Sequence, residues 1–172
     1  MYERLKASKI QQTAILKDID IPEVRVEPRR RAAMTQTRFK WLVVLTQDCD
    51  LDLDRHARRG TNPNPGGTPV SKDKILRMAL LCPAYPLDEV LLGTYLRPVT
   101  SKKWGHDDSK TLVGNHHERY HVLQADNKYL LEQLVLDFKM VVGAPPPSIW
   151  SDGIAIIRKA EWLCYNRLIA TT

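Results

Sequence analysis

No two of the three cysteines, Cys49, Cys82 and Cys164, are close enough in sequence to form a CxxC pair. That odd, scattered set excludes a zinc-knuckle reading and fits reduced thiols in a reducing compartment. Long apolar runs are missing as well. Nothing approaches the roughly 20 residues that cross a bilayer, and Met1 is followed by the polar stretch YERLKASK. Neither a membrane span nor a secretory signal is therefore expected, and the expected location is the cytoplasm. Phosphate loops are absent: Gly66-Gly67 precedes no Gly-Lys-Ser/Thr, and there is no dinucleotide fingerprint.

What remains is an ordinary globular composition, 43% hydrophobic and 27% charged over 172 residues. This suits one domain with a real core plus decorations. The net charge of +6 is unevenly spread, with ten Lys/Arg against five Asp/Glu in residues 1–40 and six of each in residues 116–172. Such a balance is compatible with an acidic protein surface or nucleic acid, and equally with solubility alone. Apolar positions at Tyr2, Leu5, Ile10, Ala14 and Ile15 suggest an N-terminal amphipathic helix, which Pro22 would end. Val24 to Val26 reads as a brief edge strand. Arg29, Arg30, Arg31 and Arg38 then form a basic linker, which is either a solvated arm or a patch that binds phosphate or a partner. Residues 1–40 are thus expected to be a basic helix and arm, and residues 41–172 a single α+β domain.

The organising stretch is WLVVLTQDCDLDLDRH, Trp41 to His56. Its apolar start reads as a central strand buried on both faces. If the extended geometry continued, Asp48, Asp50, Asp52 and Asp54 would share one face, and Cys49, Leu51 and Leu53 the other. Three readings compete. Cys49 could be a small buried hydrophobe beside solvated aspartates. Asp48, Asp50 or Asp52 could hold a divalent cation, magnesium or manganese, with His56 or a distant histidine. Cys49 could be a nucleophile, although flanking carboxylates raise a thiol's pKa and work against this.

Downstream, Arg59 to Ser71 is rich in proline and glycine and reads as a long loop beside the acidic segment. Lys74 to Cys82 is expected to be a strand closed by Pro83, and Asp88 to Arg97 a short helix stopped by Pro98. Another helical turn could precede Gly114. From Arg119 onward the sequence RYHVL reads as a strand, with Tyr120 and Val122 on one face and Arg119, His121 and Leu123 on the other. His117 and His121 are four apart and would share a face in a helix or a strand, so they form a candidate ligand or proton-transfer pair. LVLDFKMVV, Leu134 to Val142, reads as a further strand, and Asp137-x-Lys139 has the form used by one class of metal-dependent nucleases. Gly153 to Arg158 could add a strand, and Lys159 to Ala170 reads as a closing helix.

Taken together, TQDCDL at 46–51, RYHVL at 119–123, LVLDFK at 134–139 and the closing helix resemble small uncharacterised bacterial proteins met among mobile-element and phage-defence genes. Their sheet is similar to the SH3-like barrel of MazF/PemK toxins. The glycine-rich strand start that introduces Arg-Pro-Val in those toxins is missing here, and their ribonuclease chemistry is not carried over.

The expected fold is α+β, a curved, mostly antiparallel sheet or small SH3-like barrel with an N-terminal and a C-terminal helix. The first expected function is a non-catalytic binding or assembly subunit, in a bacterial or phage-defence setting. It would dock a protein or nucleic-acid partner through Arg29, Arg30, Arg31, Arg38, Arg119 and the aromatic residues Trp41, Trp104, Tyr120 and Trp150. The alternative is a metal-dependent phosphodiester hydrolase, with Asp48 and Asp50 as ligands and His117 or His121 moving protons. No resident cofactor is expected beyond that possible divalent metal.

Overall fold

The computed structural model describes residues 2–4, 10–26, 32–96, 103–126, 132–146 and 156–159. Eight strands form one sheet: β1 (Tyr2–Arg4), β2 (Ala14–Val26), β3 (Ala32–Val44), β4 (Ala79–Pro86), β5 (Tyr120–Leu123), β6 (Leu134–Asp137), β7 (Val142–Ala144) and β8 (Ile156–Lys159). Among the described residues three α-helices accompany them, α1 (Asp48–Arg59), α2 (Leu87–Leu92) and α3 (His106–Val113). The strand order is β1-β8-β2-β3-β4-β6-β5, with β7 beside β4, and every ladder is antiparallel. The fold is therefore α+β on a curved antiparallel sheet. Among the described residues no ladder joins β5 back to β1, so the path stays open.

As expected, β3 is the central strand, with Trp41, Leu42, Val43 and Val44 all buried between β2 and β4. It also begins well before residue 40, so the expected arm and the domain share one strand. Among the described residues the N-terminal helix expected over Tyr2 to Ile19 is not formed, and Tyr2–Arg4 is a strand. Ala14–Val26 is a strand instead, paired with β3 from Ile15↔Val43 to Val26↔Ala32. The β-branched residues Ile15, Ile19 and Ile21, all buried, gain more from a long ladder than a loose 3.6-residue pattern can offer. Arg29, Arg30, Arg31, Trp150 and the expected C-terminal helix over Lys159 to Ala170 lie outside the described residues, apart from Lys159 itself at the end of β8.

Strand β4 does not close at Pro83; it continues to Pro86. The amide of Leu45 donates to the carbonyl of Leu80 at 2.9 Å. That sets Leu80, Cys82 and Ala84 in hydrogen-bonding register with β3 and turns the nitrogen of Pro83 towards β6 and β7. Opposite it, the ladder breaks. Cys82 and Pro83 lie between the paired residues Leu81 and Ala84, while five residues intervene between their partners Val142 and Leu136. The surplus loops out as a 3-10 turn at Phe138–Met140, which splits the strand expected over Leu134 to Val142 into β6 and β7. A proline that cannot donate thus sits where no acceptor waits for it.

The core divides by sheet face. On one side Leu16, Leu42, Val44, Ala79 and Leu81 pack against Leu51 of α1. Further along the sheet Val135, Tyr120 and Val122 pack against Leu87 and Val90 of α2 and Leu112 of α3. The β4–β6–β5 register (Tyr85↔Val135↔Val122) and strand alternation place this second cluster on the same face as Leu81. All three helices therefore cover one face. Trp41, Val43, Cys82, Ala84, Leu134 and Leu136 form a separate cluster on the other.

Candidate functional site

Two clefts contain the residues singled out by sequence. The first lies at the start of α1, about 300 Å³, lined by Ile10, Gln11, Asp48, Cys49, Asp52 and Arg55. Here the expected extended acidic ribbon is overturned, because Asp48 to Arg59 is a helix. The alternation that suggested a strand is also compatible with helical spacing: Leu51, Asp54 and Ala57 are buried at intervals of three. Asp48 and Asp50 sit in the first turn and His56, Arg58 and Arg59 in the last, each sign at the helix end that favours it. The four aspartates consequently part company. Asp48 accepts from the backbone amide of Gln12, Asp50 is exposed, Asp52 pairs with Arg55, and Asp54 is buried.

Asp54 shows what the acidic stretch does locally. Its two oxygens each accept from Arg58 Nε at 2.9 Å, and Oδ1 also accepts from the Leu76 amide at 2.7 Å. Arg58 Nη2 donates in turn to the Leu76 carbonyl at 2.8 Å. One ion pair thereby satisfies both polar groups of a backbone unit beyond the long loop and ties that loop to α1. Cys49, read as a buried hydrophobe, is instead exposed, and Cys82 is the buried thiol. Burial, reinforced by the charge of Asp137, pushes the Cys82 thiol up to about 12. Among the described residues no three His, Cys, Asp or Glu side chains converge in a way that could hold a metal ion.

The second cleft, about 370 Å³, lies between α3 and the start of β5 and is lined by Tyr95, Leu96, Trp104, Asp108, Thr111, His117, Arg119 and Tyr120. Several local devices build it. Asn115, at φ 57°, takes a left-handed conformation that asparagine tolerates. Its side chain then accepts from the Val122 amide at 2.5 Å and donates to the Val122 carbonyl at 3.2 Å. That pairing folds the 115–119 segment back against β5. The amide of Trp104 donates to the Leu91 carbonyl at 3.0 Å, which fixes the indole beside α2. Trp104 then meets His117 and Tyr120 edge to face, while the His117 and Tyr120 rings are tilted at 51° to each other, with ring centroids 5.0 to 5.5 Å apart.

Below the rings lies a buried polar network. Asp137, fully buried, receives Arg119 through Nε at 2.7 Å and Nη2 at 2.5 Å, and its Oδ1 also accepts the Lys139 amide at 3.1 Å. The Asp-x-Lys segment is thus a structural clasp: its carboxylate is taken by Arg119 and its lysine contributes a backbone amide. Arg119 lies 4.8 Å over the Tyr120 ring, and its Nη2 reaches Tyr95 Oη at 3.5 Å. Tyr95 and Tyr120 share a hydroxyl hydrogen bond of 2.8 Å. Burial first, then that bond, pushes the Tyr120 hydroxyl well above the usual phenol range. Burial and the nearby Asp137 do the same for Tyr85. The hydrogen bonds that Arg119 donates to Asp137 hold it even more firmly protonated than usual. These groups keep their protons, which suits holding a ligand rather than shuttling protons.

His117 and Arg119 meet in this cleft, whereas Asp48 and Cys49 line the other. His121 stays half-buried on β5 and lines neither. Arg38, expected in the basic arm, lies within 4.0 Å of Asp18 and Asp20 on the facing strand. Trp41 is buried, its Nε1 donating to Glu132 at 3.3 Å beneath Lys17. Sequence reading did not find Tyr95, Asp108 or Thr111; the only signal was the helical spacing of Asp108, Thr111 and Leu112 before Gly114.

Fold and clefts together define an α+β protein with an aromatic-lined cleft towards the β5 end of an open sheet. Comparison with known proteins finds no family model, no curated protein and no solved structure that matches the chain. Among the described residues no helix is long and apolar enough to cross a membrane.

Proposed function

We propose that the protein is a non-catalytic binding subunit, of the kind used in bacterial or phage-defence assemblies, and that its partner docks in the cleft formed by Trp104, His117, Arg119 and Tyr120. The resemblance of TQDCDL, RYHVL and LVLDFK to such proteins supplies the setting. The observation that carries the reading is the cleft itself: aromatic rings and a guanidinium fixed by a buried carboxylate offer a firm, pre-formed recognition surface. The hydrolase alternative needs Asp48 and Asp50 beside His117 or His121, and the cleft lined by Asp48 and Cys49 has neither histidine in its walls; the histidine near it, His56, lies 3.9 Å from an Asp52 already paired with Arg55.

Photo-crosslinking in cells tests the reading. A photoreactive residue replacing Thr111, in the cleft wall, should give a discrete adduct, whereas the same residue replacing Asn64, in the exposed loop, should not. Equal labelling from both positions, or none from Thr111, would count against a docking role for the cleft.

A further inference from the structure

The donors of the cleft define what it can hold. His117 Nδ1 accepts from the Arg119 amide at 3.1 Å, so in the neutral ring Nε2 carries the proton. Arg119 engages Asp137 and Tyr95 through Nε and Nη2, and among the described residues Nη1 has no partner. The indole Nε1 of Trp104 likewise has none among them. Three N–H donor groups, all on half-buried side chains, thus gather beside aromatic rings, while the charge of Arg119 is already balanced by Asp137.

A protein aromatic or aliphatic side chain entering the cleft would bring no acceptors and would strand those donors away from water. A bare phosphate would meet a guanidinium already neutralised and would leave the rings uncovered. A flat heterocycle with ring nitrogens and carbonyls along its edge satisfies both features, stacking on the rings and accepting at its rim. The volume of about 370 Å³ lies at the lower end of the range for small-ligand sites, and the chain's net charge of +6 favours a ligand carrying phosphate outside the cleft.

The geometry points to a nucleobase as the occupant, either of a free nucleotide or of a base turned out from single-stranded nucleic acid. This rests on the cleft being the docking site. Two-dimensional NMR of the full chain, following backbone amides and the Trp104 indole, separates the sources. The probes are AMP, UMP, eight-nucleotide DNA and RNA, and an abasic oligomer of equal length. Saturable shifts of the Trp104 indole and of residues 117–120 are expected with base-bearing probes and not with the abasic one. Mononucleotides saturating as readily as oligomers would assign a free nucleotide; response to oligomers alone would assign a single strand.

Trp104→Ala should weaken binding about tenfold or more through lost stacking, and His117→Ala should weaken it severalfold. Because Trp104 also packs on the core, His117→Ala decides if Trp104→Ala does not fold. A flat titration with every base-bearing probe, equal shifts from the abasic oligomer, or unchanged affinity in folded His117→Ala would each overturn the nucleobase assignment. A protein adduct from the Thr111 crosslinker alongside a flat titration would overturn it while leaving the binding-subunit reading intact. Absence of both would sink both.

Discussion

Two aspartates carry disproportionate weight, because each is buried and held by an arginine and a backbone amide: Asp54 by the shared Arg58 Nε and the Leu76 amide, Asp137 by a bidentate Arg119 and the Lys139 amide. Replacing either by alanine orphans one amide and leaves a partly buried guanidinium without its counter-ion. Each should lose roughly 2–4 kcal/mol, read as a fall in the urea midpoint. Asp54→Asn, which keeps an acceptor for Leu76, should lose less than Asp54→Ala. The thiols give a second residue-scale test. The unfolded Cys82 thiol ionises near ~8.5 and the folded one only near about 12, so the native chain binds the extra proton in that window. The sign follows: this contribution is complete below pH ~8.5 and is lost as pH rises towards about 12. In a Cys164→Ser background at pH 8, iodoacetamide should therefore modify Cys49 promptly and Cys82 only after denaturant is added, as peptide mass spectrometry would show. Comparable labelling of both in native protein would contradict the burial assigned to Cys82. None of these partners was legible in the sequence. Asp137-x-Lys139 looked like a metal motif because the residue that neutralises it, Arg119, lies 18 positions upstream, just before β5.

At the scale of elements, strands were easier to read than helices. The Trp41–Val44 run and RYHVL announced themselves because burial on both faces, or strict alternation, leaves a pattern that nothing local imitates. The acidic segment misled because Asp-Leu-Asp-Leu-Asp has a period of two, while the core contact of α1 depends on Leu51, Asp54 and Ala57. Two of its tertiary partners, Leu16 and Leu81, are far away in sequence. Helix α1 is accordingly held by packing, and Leu51→Ala should cost about 2–5 kcal/mol with cooperative unfolding retained. Its end is set by backbone geometry: Gly60 has φ 63°, with nothing within 4 Å of where a Cβ would stand. Gly60→Ala therefore meets no clash, and its cost of about 1 kcal/mol comes from the left-handed backbone alone. Differential scanning fluorimetry should rank the two, Leu51→Ala far below Gly60→Ala. Similar losses would mean that α1 is not seated on the sheet as described. The turn over Phe138–Met140 was invisible for the opposite reason: it answers Pro83 across the ladder, and no local signal in LVLDFKMVV marks it.

For the whole molecule, the decisive fact is where the sheet sends its chemistry. Helix α1 and the pair α2/α3 cover the same face but pack on different stretches of it, in separate core clusters. Asp48, Asp52 and the exposed Cys49 thus line one cleft, and His117, with Asp108 and the aromatic residues, lines the other. A two-carboxylate, one-histidine hydrolase needs these groups within coordination and hydrogen-bond reach of one phosphodiester, and a helix that turns Asp48 to Gln12 and Asp50 to solvent does not deliver them. The purified chain should therefore show no cleavage of single- or double-stranded DNA or RNA that depends on added magnesium or manganese, and any background should be the same in Asp50→Ala and His121→Ala. Divalent-dependent cleavage abolished by Asp50→Ala, in a variant whose circular dichroism matches the parent, would require the two clefts to come together in a state other than this one, and the binding-subunit reading would give way to the hydrolase.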